Sequence, residues 1–278
     1  MTADASEQTR PVPELAYKVL DVFSDRAFAG NGLCVVGGIL DDTATMQAIA
    51  RAMNLSETVF VRKTGDWSYD ARIFTPVDEL PLAGHPSVGA AWSMGPGAWS
   101  QRTSGAVVTV EATATGAVMV QPDPIVTEVY PEDAARAMSI PVEHARKAFV
   151  ADLAGTRHLV VPTDHPLDRV RFDNVAGAAA ARAVRATGLA AMRRLDDTTI
   201  HVRLAVPTET ASFEDPGTGS AAGPIGLLAR RLWGMGPDLI VRQGAEIGRP
   251  SVMVVHAEEG NLRVGGAVHA FASGVLTF

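Results

Sequence analysis

The chain has 278 residues, of which 47% are hydrophobic, so it can bury one large core or the cores of two domains. Lys and Arg number 24 against 31 Asp and Glu, which gives a net charge of −7. Without a basic stripe to neutralise phosphates, nucleic acid is excluded as a partner. No run of about 18 apolar residues occurs, which excludes a membrane span and predicts a cytoplasmic protein. Cys34 is the single cysteine, so an intrachain disulfide, a thiolate metal cage and a two-thiol catalytic pair are excluded.

Residues 1–14 are polar, contain Pro11 and Pro13 and show no apolar periodicity, so they predict a disordered tail rather than a cleaved signal. Beyond the tail, period-2 alternation predicts strands, and a 3.6-residue apolar period predicts helices. The elements predicted up to residue 120 are strands at 17–23 and 33–36, a helix from Asp41 or Asp42 to Asn54, strands at 58–61 and 69–74, a loop at 75–85, a helix at 86–94 and a strand hairpin at 106–120.

Residues 121–125, with the sequence QPDPI, are the best candidate for a linker. After the linker, a similar series of elements follows. The elements predicted there are a strand at 158–162, a helix at 175–187, a strand at 201–206, a Gly-rich loop at 214–220, a helix from that loop to Trp233, and strands at 239–242, 251–256, 262–268 and 270–277.

The two parts of the chain show a repeated pattern. The segment Glu79-Leu-Pro-Leu-Ala-Gly84 precedes one predicted helix, and Glu214-Asp-Pro-Gly-Thr-Gly219 precedes another, about 135 residues further on. The repeat predicts a duplicated α+β unit, although identity between the parts is low and Gly-rich loops before helices are common. In a two-domain arrangement, the cleft between the halves is the expected pocket.

Both repeated loops end at the N-terminus of a predicted helix, at Gly84–His85 and at Gly219–Ser220. A helix N-terminus presents N–H groups without intrahelical acceptors and the positive end of the helix dipole, so it can bind a carboxylate. The alternative is that each loop only turns the chain, and for either loop alone this alternative is favoured. If the repeat is real, both N-termini face one cleft and predict a small-molecule carboxylate as the ligand.

Glu57 and Asp215 are the acidic candidates in this pattern. Glu57 precedes the strand Val59–Val61, where a glutamate is usually solvated or a local hydrogen-bond acceptor. Alignment of the halves places Glu57 opposite Ala191 and Asp215 opposite Leu80, so each half supplies a carboxylate that the other lacks. Such a site suits a base on one face and an orienting or protonating group elsewhere.

His85 follows the Ala83-Gly84 step, where it could cap the helix or act in catalysis, and the sequence leaves both open. The other histidines lack metal-ligand spacing, and no dinucleotide-binding or Walker motif occurs. No G-x-S-x-G motif makes Ser87 or Ser220 a nucleophile. The sequence therefore predicts chemistry without a metal or a cofactor.

Six strings occur in order along the chain, within a match that runs from about residue 17 to the C-terminus. They are Asp21-Val-Phe-Ser-Asp-Arg-Ala-Phe-Ala-Gly-Asn31, Ser56-Glu-Thr-Val-Phe-Val61, Arg72-Ile-Phe-Thr-Pro76, Glu79-Leu-Pro-Leu-Ala-Gly-His-Pro86, Glu214-Asp-Pro-Gly-Thr-Gly-Ser-Ala221 and Gln243-Gly-Ala-Glu-Ile-Gly-Arg-Pro-Ser251. Together they resemble the PhzF-like isomerases of phenazine biosynthesis. The six strings in sequence are far more specific than any one of them.

This resemblance implies the diaminopimelate-epimerase-like fold, an α+β fold of two pseudo-symmetric halves. In each half, a curved and mostly antiparallel sheet wraps around a central helix. The implied halves are residues 15–123 and 124–267, with the C-terminal strand 268–278 completing the first half and the active site in the cleft between them. The resemblance also implies a homodimer.

The resemblance further implies a cofactor-independent proton shift on a small unsaturated carboxylate or amino acid of dihydro-hydroxyanthranilate type. The implied setting is the biosynthesis of phenazines or other secondary metabolites. Position by position, the catalytic residues fall on Glu57, His85 and Asp215, with Glu57 carrying the proton. The implied substrate-binding residues are Gly84, Gly217, Thr218, Gly219 and Ser220.

Two departures from the family pattern bear on the substrate rather than on the reaction type. Ala29-Gly-Asn-Gly32 stands where Gly-Gly-Asn-Pro is common, and Cys34 stands at a usually aliphatic position.

Two alternatives to a one-base isomerase differ in what they require of the sequence. An amino-acid epimerase or racemase of the related kind has a cysteine in each half, where this chain has Ala83 and Pro216. A catalytically silent ligand-binding or interaction protein could use the same fold. Because Glu57, His85 and Asp215 are all retained, the isomerase is favoured.

Overall fold

A computed structural model describes residues 14–278 of the protein. The tail predicted at residues 1–14 lies outside the described residues except for Glu14, which belongs to the first strand and not to a tail. Within this described part, no helix combines the length and the apolar character that crossing a membrane requires.

Residues 14–278 form seventeen strands and five α-helices. The strands are β1 (Glu14–Val22), β2 (Asn31–Gly37), β3 (Glu57–Gly65), β4 (Ser68–Phe74), β5 (Glu79–Leu80), β6 (Gly97–Arg102), β7 (Val107–Ala112), β8 (Gly116–Gln121), β9 (Ile125–Val129), β10 (Ala148–Leu153), β11 (Thr156–Pro162), β12 (Gly188–Arg194), β13 (Thr199–Pro207), β14 (Ser212–Glu214), β15 (Asp238–Gln243), β16 (Ser251–His256) and β17 (Leu262–Thr277). The helices are α1 (Thr43–Met53), α2 (Gly84–Met94), α3 (Glu132–Ala137), α4 (Asn174–Ala183) and α5 (Gly219–Trp233).

The first half is a mixed sheet. Strands β2 and β3 are parallel and are connected through α1, and β4 pairs antiparallel with β3 and with the short β5. Helix α2 then leads to β6, which is parallel to β4, and β7 and β8 continue antiparallel. Asp42 caps α1 through the N–H groups of Ala44 and Thr45, and Asn54 ends it in a left-handed conformation, which confirms the predicted limits of this helix.

The second half repeats this order of elements. Strands β11 and β12 are parallel and are connected through α4, and β13 pairs antiparallel with β12 and with the short β14. Helix α5 leads to β15, which is parallel to β13, and β16 and β17 continue antiparallel. The predicted fold class, two pseudo-symmetric α+β halves, is therefore confirmed.

Strand β17 connects the two halves. Its first part, 262–267, pairs with β8, and its second part, 268–277, pairs with β1. The predicted linker at 121–125 is shorter in the structure, because only residues 122–124 lie between β8 and β9, and β9 pairs with β10. The domain limits given above, 15–123 and 124–267, stay a prediction.

Helices α2 and α5 are the central helices of the halves. The residues of α2 from His85 to Ala91 are all buried, as is most of α5. A helix buried on nearly every side needs small residues where the sheet approaches closely. A Cβ atom at Gly89 would lie only 2.4 Å from Cδ2 of Leu33. This packing fixes the position of α2 relative to β2.

Several predicted element limits are wrong. Helix α2 begins at Gly84 rather than Pro86, and α4 ends at Ala183 rather than at residue 187. The two strands predicted at 262–268 and 270–277 are the single strand β17. Its pairing with β1 is regular at residue 269 and shifts register at Phe271, between the partners of Val19 and Leu20, and the strand continues through this irregularity. The prediction missed β5, β6, β9, β10, β12, β14 and α3, whose short or alanine-rich sequences carry weak periodicity.

Candidate active site

The N-termini of α2 and α5 meet between the halves. A Cβ atom at Gly84 would lie 3.1 Å from the backbone nitrogen of Ser220, and one at Gly219 would lie 3.4 Å from that of His85. Glycine permits this close approach of the two backbones. Neither helix has a side-chain cap from the described residues. The N–H groups of the first two residues of each helix and the positive ends of both helix dipoles are therefore directed towards an anion site.

Equivalent ion pairs brace the loops that lead into these helices. Arg72 of β4 binds Glu79 through hydrogen bonds of 2.8 and 2.6 Å, and Arg203 of β13 binds Glu214 through hydrogen bonds of the same lengths. Bidentate pairing fixes the orientation of both partners. The side chains of the second pair are only 9% and 11% exposed, against 27% and 29% for the first. The repeat therefore extends to side-chain contacts, with the second loop held in a drier environment.

Glu57 is the first residue of β3, and its side chain is 16% exposed. Its Oε2 atom lies 3.1 Å from Nε2 of His85. These two atoms are not aligned for a hydrogen bond, and neither has another partner within residues 14–278. Burial, and then repulsion from the charge of Asp215, raises the pKa of Glu57 to about 8. Glu57 therefore carries its proton at neutral pH.

His85 is the second residue of α2 and is almost completely buried. Burial lowers the pKa of His85 to about 3, although a hydrogen bond with the backbone of Gly32 opposes the shift. The imidazole is therefore neutral at physiological pH. Its contact with Glu57 brings a neutral ring against a protonated carboxyl and is not an ion pair.

Asp215 follows β14, and its carboxyl has fixed partners. Oδ1 accepts a hydrogen bond of 2.8 Å from Nδ2 of Asn31, and Oδ2 accepts one from the hydroxyl of Thr218. Burial raises the pKa of Asp215, while these two hydrogen bonds and one from the backbone of Gly217 oppose the rise. The side-chain amide of Gln243 also donates to the backbone carbonyl of Asp215 at 2.7 Å. Asp215 is thus held in one orientation.

The other predicted site residues surround these groups. The hydroxyl of Thr218 accepts a hydrogen bond of 2.9 Å from Gln243, and the carbonyl of Gly217 accepts one of 3.0 Å from Asn31. The hydroxyl of Ser220 lies 3.0 Å from Nε2 of His158. The predicted residues that lie in this one region are Glu57, Gly84, His85, Asp215, Gly217, Thr218, Gly219 and Ser220.

A groove opens between the halves beside Gly84 and Ser220. Its walls combine the loop before α2 and Ser220 of α5 with apolar side chains of both halves, including Val108, Met119 and Leu153. The side chains of Glu57, His85 and Asp215 do not line this groove.

Three polar residues of the site were missed by the sequence prediction. Asn31 and Gln243 hold the loop around Asp215, and His158 contacts Ser220. Asn31 and Gln243 stand inside two of the six strings quoted above, so those strings could have indicated them. His158 lies on β11 without any local motif, and its proximity to Ser220 depends on tertiary packing alone.

The chain is similar to known proteins over most of its length. The family model described as phenazine biosynthesis-like protein matches residues 20–273. An uncharacterized isomerase from Mesorhizobium japonicum is 34% identical, with 94% of this chain and 98% of that protein covered. A trans-2,3-dihydro-3-hydroxyanthranilate isomerase from Pseudomonas chlororaphis is also 34% identical, with 87% of this chain and 90% of that protein covered.

Solved structures agree with these matches. A protein described as a predicted epimerase from Pseudomonas aeruginosa has a TM-score of 0.80 and 28% identity, with 94% of this chain and 99% of that chain covered. A hydroxyproline epimerase from Agrobacterium vitis, 10% identical with a TM-score of 0.61, covers 95% of this chain and 92% of its own and has a similar fold.

Fold and relatives together define an isomerase with the diaminopimelate-epimerase-like fold, as the sequence predicted. The residues 14–278 contain no cluster of three or more His, Cys, Asp or Glu side chains arranged to hold a metal ion. The chain belongs to the phenazine biosynthesis-like protein family, whose model spans nearly its whole length.

Proposed function

We propose that the protein shifts a proton on a small unsaturated carboxylate, with Glu57 as the proton carrier. The observation that carries this proposal is the buried carboxyl of Glu57, whose pKa is raised to about 8 and which lies 3.1 Å from neutral His85. A general acid/base works best when its pKa is near the working pH, because both protonation states are then accessible. A carboxyl with an ordinary pKa would be a weaker base and would remove a proton from carbon less readily.

The proposed reaction needs one carboxyl group. Ionised Glu57 removes a proton from a substrate carbon, the electron pair moves along the conjugated system, and Glu57 returns the proton to a second carbon on the same face. Substrate and product have the same composition, so no oxidant or reductant is consumed. His85 would position this carboxyl, and Asp215, fixed by Asn31 and Thr218, would hold an amino or hydroxyl group of the substrate.

The N-termini of α2 and α5 would bind the substrate carboxylate. Their backbones approach closely at Gly84 and Gly219, and neither helix is capped by a side chain of the described residues. Backbone N–H groups at a helix N-terminus stabilise a carboxylate and the negative charge that develops on it as the proton leaves carbon. This arrangement supports an acidic substrate.

The proposed substrate is of the trans-2,3-dihydro-3-hydroxyanthranilate type, and the proposed setting is secondary metabolism. The support is the name of the relative from Pseudomonas chlororaphis, which is 34% identical over most of both chains. This molecule is an unsaturated amino acid with a ring hydroxyl, which suits one anion site and one fixed acidic partner.

The test is to incubate the protein with trans-2,3-dihydro-3-hydroxyanthranilate in deuterated water and to follow ultraviolet absorbance and deuterium uptake. We expect a change in the conjugated absorbance, and deuterium at the carbon that receives the proton. No change in either signal would contradict this substrate. Deuterium exchange into another unsaturated amino acid would retain the reaction type and replace the substrate.

We also propose that the protein acts as a homodimer, as the family resemblance implies. Light scattering on the purified protein should then give about twice the chain mass of 29.2 kDa. A mass equal to that of one chain would contradict this proposal.

A further inference from the structure

His158 is a buried histidine that the proposed reaction does not use. It lies on β11, opposite Gly188 of β12, and only 4% of it is exposed. Its Nε2 atom lies 3.0 Å from the hydroxyl oxygen of Ser220, the second residue of α5. Ser220 lines the groove between the halves, whereas His158 does not. Any influence of His158 on a bound ligand must therefore pass through Ser220.

Among the described residues, the ring of His158 has one hydrogen-bond partner, the hydroxyl of Ser220. Its Nδ1 atom is buried and has no hydrogen-bond partner within residues 14–278. A Cβ atom at Gly188 would lie 3.0 Å from this nitrogen, so the ring fits against a backbone without a side chain. Burial lowers the pKa of His158 to about 4, so the ring is neutral at physiological pH. Only one ring nitrogen then carries a hydrogen.

The two neutral tautomers give the hydroxyl of Ser220 opposite roles. When Nε2 carries the hydrogen, it donates to the hydroxyl oxygen, and the hydroxyl hydrogen is free to donate into the groove. When Nδ1 carries it, the hydroxyl donates to Nε2 and turns its lone pairs towards the groove, and a buried N–H group is left unpaired. An anion in the groove attracts a donor and repels lone pairs. The first tautomer is therefore the one that suits an anionic ligand.

We propose that His158 is a positioning residue that donates from Nε2 to Ser220 and thereby orients the Ser220 hydroxyl as a hydrogen-bond donor to the carboxylate of the substrate. This inference rests on the proposed function in one respect, the acidic substrate. It does not depend on Glu57 or on the proton shift.

The same geometry excludes a nucleophilic role for this pair. A serine nucleophile needs a histidine base whose second nitrogen is oriented by an acidic group. Nδ1 of His158 has no such partner among the described residues. The pair therefore acts in binding, so we expect its loss to raise KM and to leave kcat unchanged.

A double-mutant cycle with anthranilate as the carboxylate probe tests this assignment. The four proteins are wild type, His158→Leu, Ser220→Ala and the double variant, and calorimetry gives the dissociation constant of each. We expect His158→Leu to weaken binding about tenfold in the wild-type background and less than about twofold once Ser220 is alanine. Equal losses in both backgrounds would overturn the proposal, because they would mean that His158 acts by packing alone.

The conservative variant His158→Gln keeps an N–H donor and is the matched control for folding. It should recover most of the affinity that His158→Leu loses, and its failure to do so, with a normal unfolding transition, would also overturn the proposal. If His158→Leu does not fold, His158→Gln and His158→Met replace it in the comparison, since methionine lacks the donor.

Nitrogen NMR of the unmodified protein gives an independent readout. The imidazole shifts should report the hydrogen on Nε2 with anthranilate bound, and a hydrogen on Nδ1 would contradict the assignment.

These measurements separate the two proposals. If the protein binds anthranilate with the expected coupling but leaves dihydro-hydroxyanthranilate unchanged, the role of His158 is supported and the proposed reaction is contradicted. If wild type does not bind anthranilate, the role of His158 is contradicted.

Discussion

The two halves share one scaffold but hold their acidic groups differently. In the first half, Glu57 has no aligned hydrogen bond from the described residues, and its pKa is raised to about 8. In the second half, Asp215 accepts hydrogen bonds from Asn31 and Thr218, which oppose the effect of burial on its pKa. A duplicated scaffold can thus supply a transferable proton from one half and a fixed polar anchor from the other.

The second residue of each central helix also differs between the halves. In α2 this residue is His85, which contacts the carboxyl of Glu57, and in α5 it is Ser220, which contacts His158. Both follow a glycine at a close approach of two backbones. The shared positions fix the site, and the side chains at those positions make its two sides chemically unequal.

The largest expected effect comes from removing the proton carrier of the first half. Glu57→Gln should lower kcat by about 10²–10⁴-fold, because an amide cannot take and return a proton. Steady-state turnover, with circular dichroism to establish folding, measures this effect. Glu128, which is 55% exposed and pairs with Lys147, provides the control variant Glu128→Gln, which should keep full activity. Near-normal turnover of Glu57→Gln would remove the proposed difference between the halves.

The ion pairs Arg203–Glu214 and Arg72–Glu79, which hold the two loops, should differ in their contribution to the free energy of unfolding. Arg203→Met should lower the free energy of unfolding by about 3–5 kcal/mol, because it leaves the nearly buried Glu214 unpaired. Arg203 also donates to the carbonyls of Leu167 and Val170 at 2.9 and 2.8 Å.

Arg72→Met in the first half is the matched variant and should cost about 1 kcal/mol or less, since its pair with Glu79 is partly exposed. Urea denaturation of both variants measures the difference. Equal losses would mean that the two loops are held to the same degree.

Removing the fixed anchor should affect the pH dependence as well as the rate. Asp215→Asn should lower kcat/KM about tenfold through the lost substrate contact. Because the charge of Asp215 raises the pKa of Glu57, its removal should lower that pKa. The pH midpoint of kcat/KM should therefore move to a lower value in this variant. An unchanged midpoint would show that the two carboxyl groups do not interact.

The smallest expected effect is that of the cysteine. Cys34 is fully buried on β2, and burial raises the pKa of its thiol to about 12, so no thiolate is available at neutral pH. Cys34→Ala should keep kcat within about twofold while losing some stability to the cavity that it leaves. Turnover and thermal unfolding measure both effects. A folded Cys34→Ala protein without turnover would contradict a carboxyl-based reaction.

The sequence predicted the fold and named candidate site residues that lie together in the structure, but it did not predict their physical state. The loops before Gly84 and Gly219 and the helix capped by Asp42 have local signals, so their positions follow from short strings. The raised pKa of Glu57 depends on burial by residues far away in the chain, which no local pattern records. His158 was missed for the same reason, because its contact with Ser220 joins residues from separate elements.

The pH dependence of kcat/KM tests the central claim, that the Glu57 carboxyl transfers the proton, most directly. The ionised form of Glu57 must remove the proton, and its pKa lies at about 8, so kcat/KM of the free protein should rise about tenfold per pH unit below that value and level off above it. His85 should add no step near neutral pH, because its pKa is lowered to about 3. The account predicts a single rising limb with a midpoint near 8. A midpoint near the ordinary glutamate value of 4.5, or a rate independent of pH across this range, would contradict it.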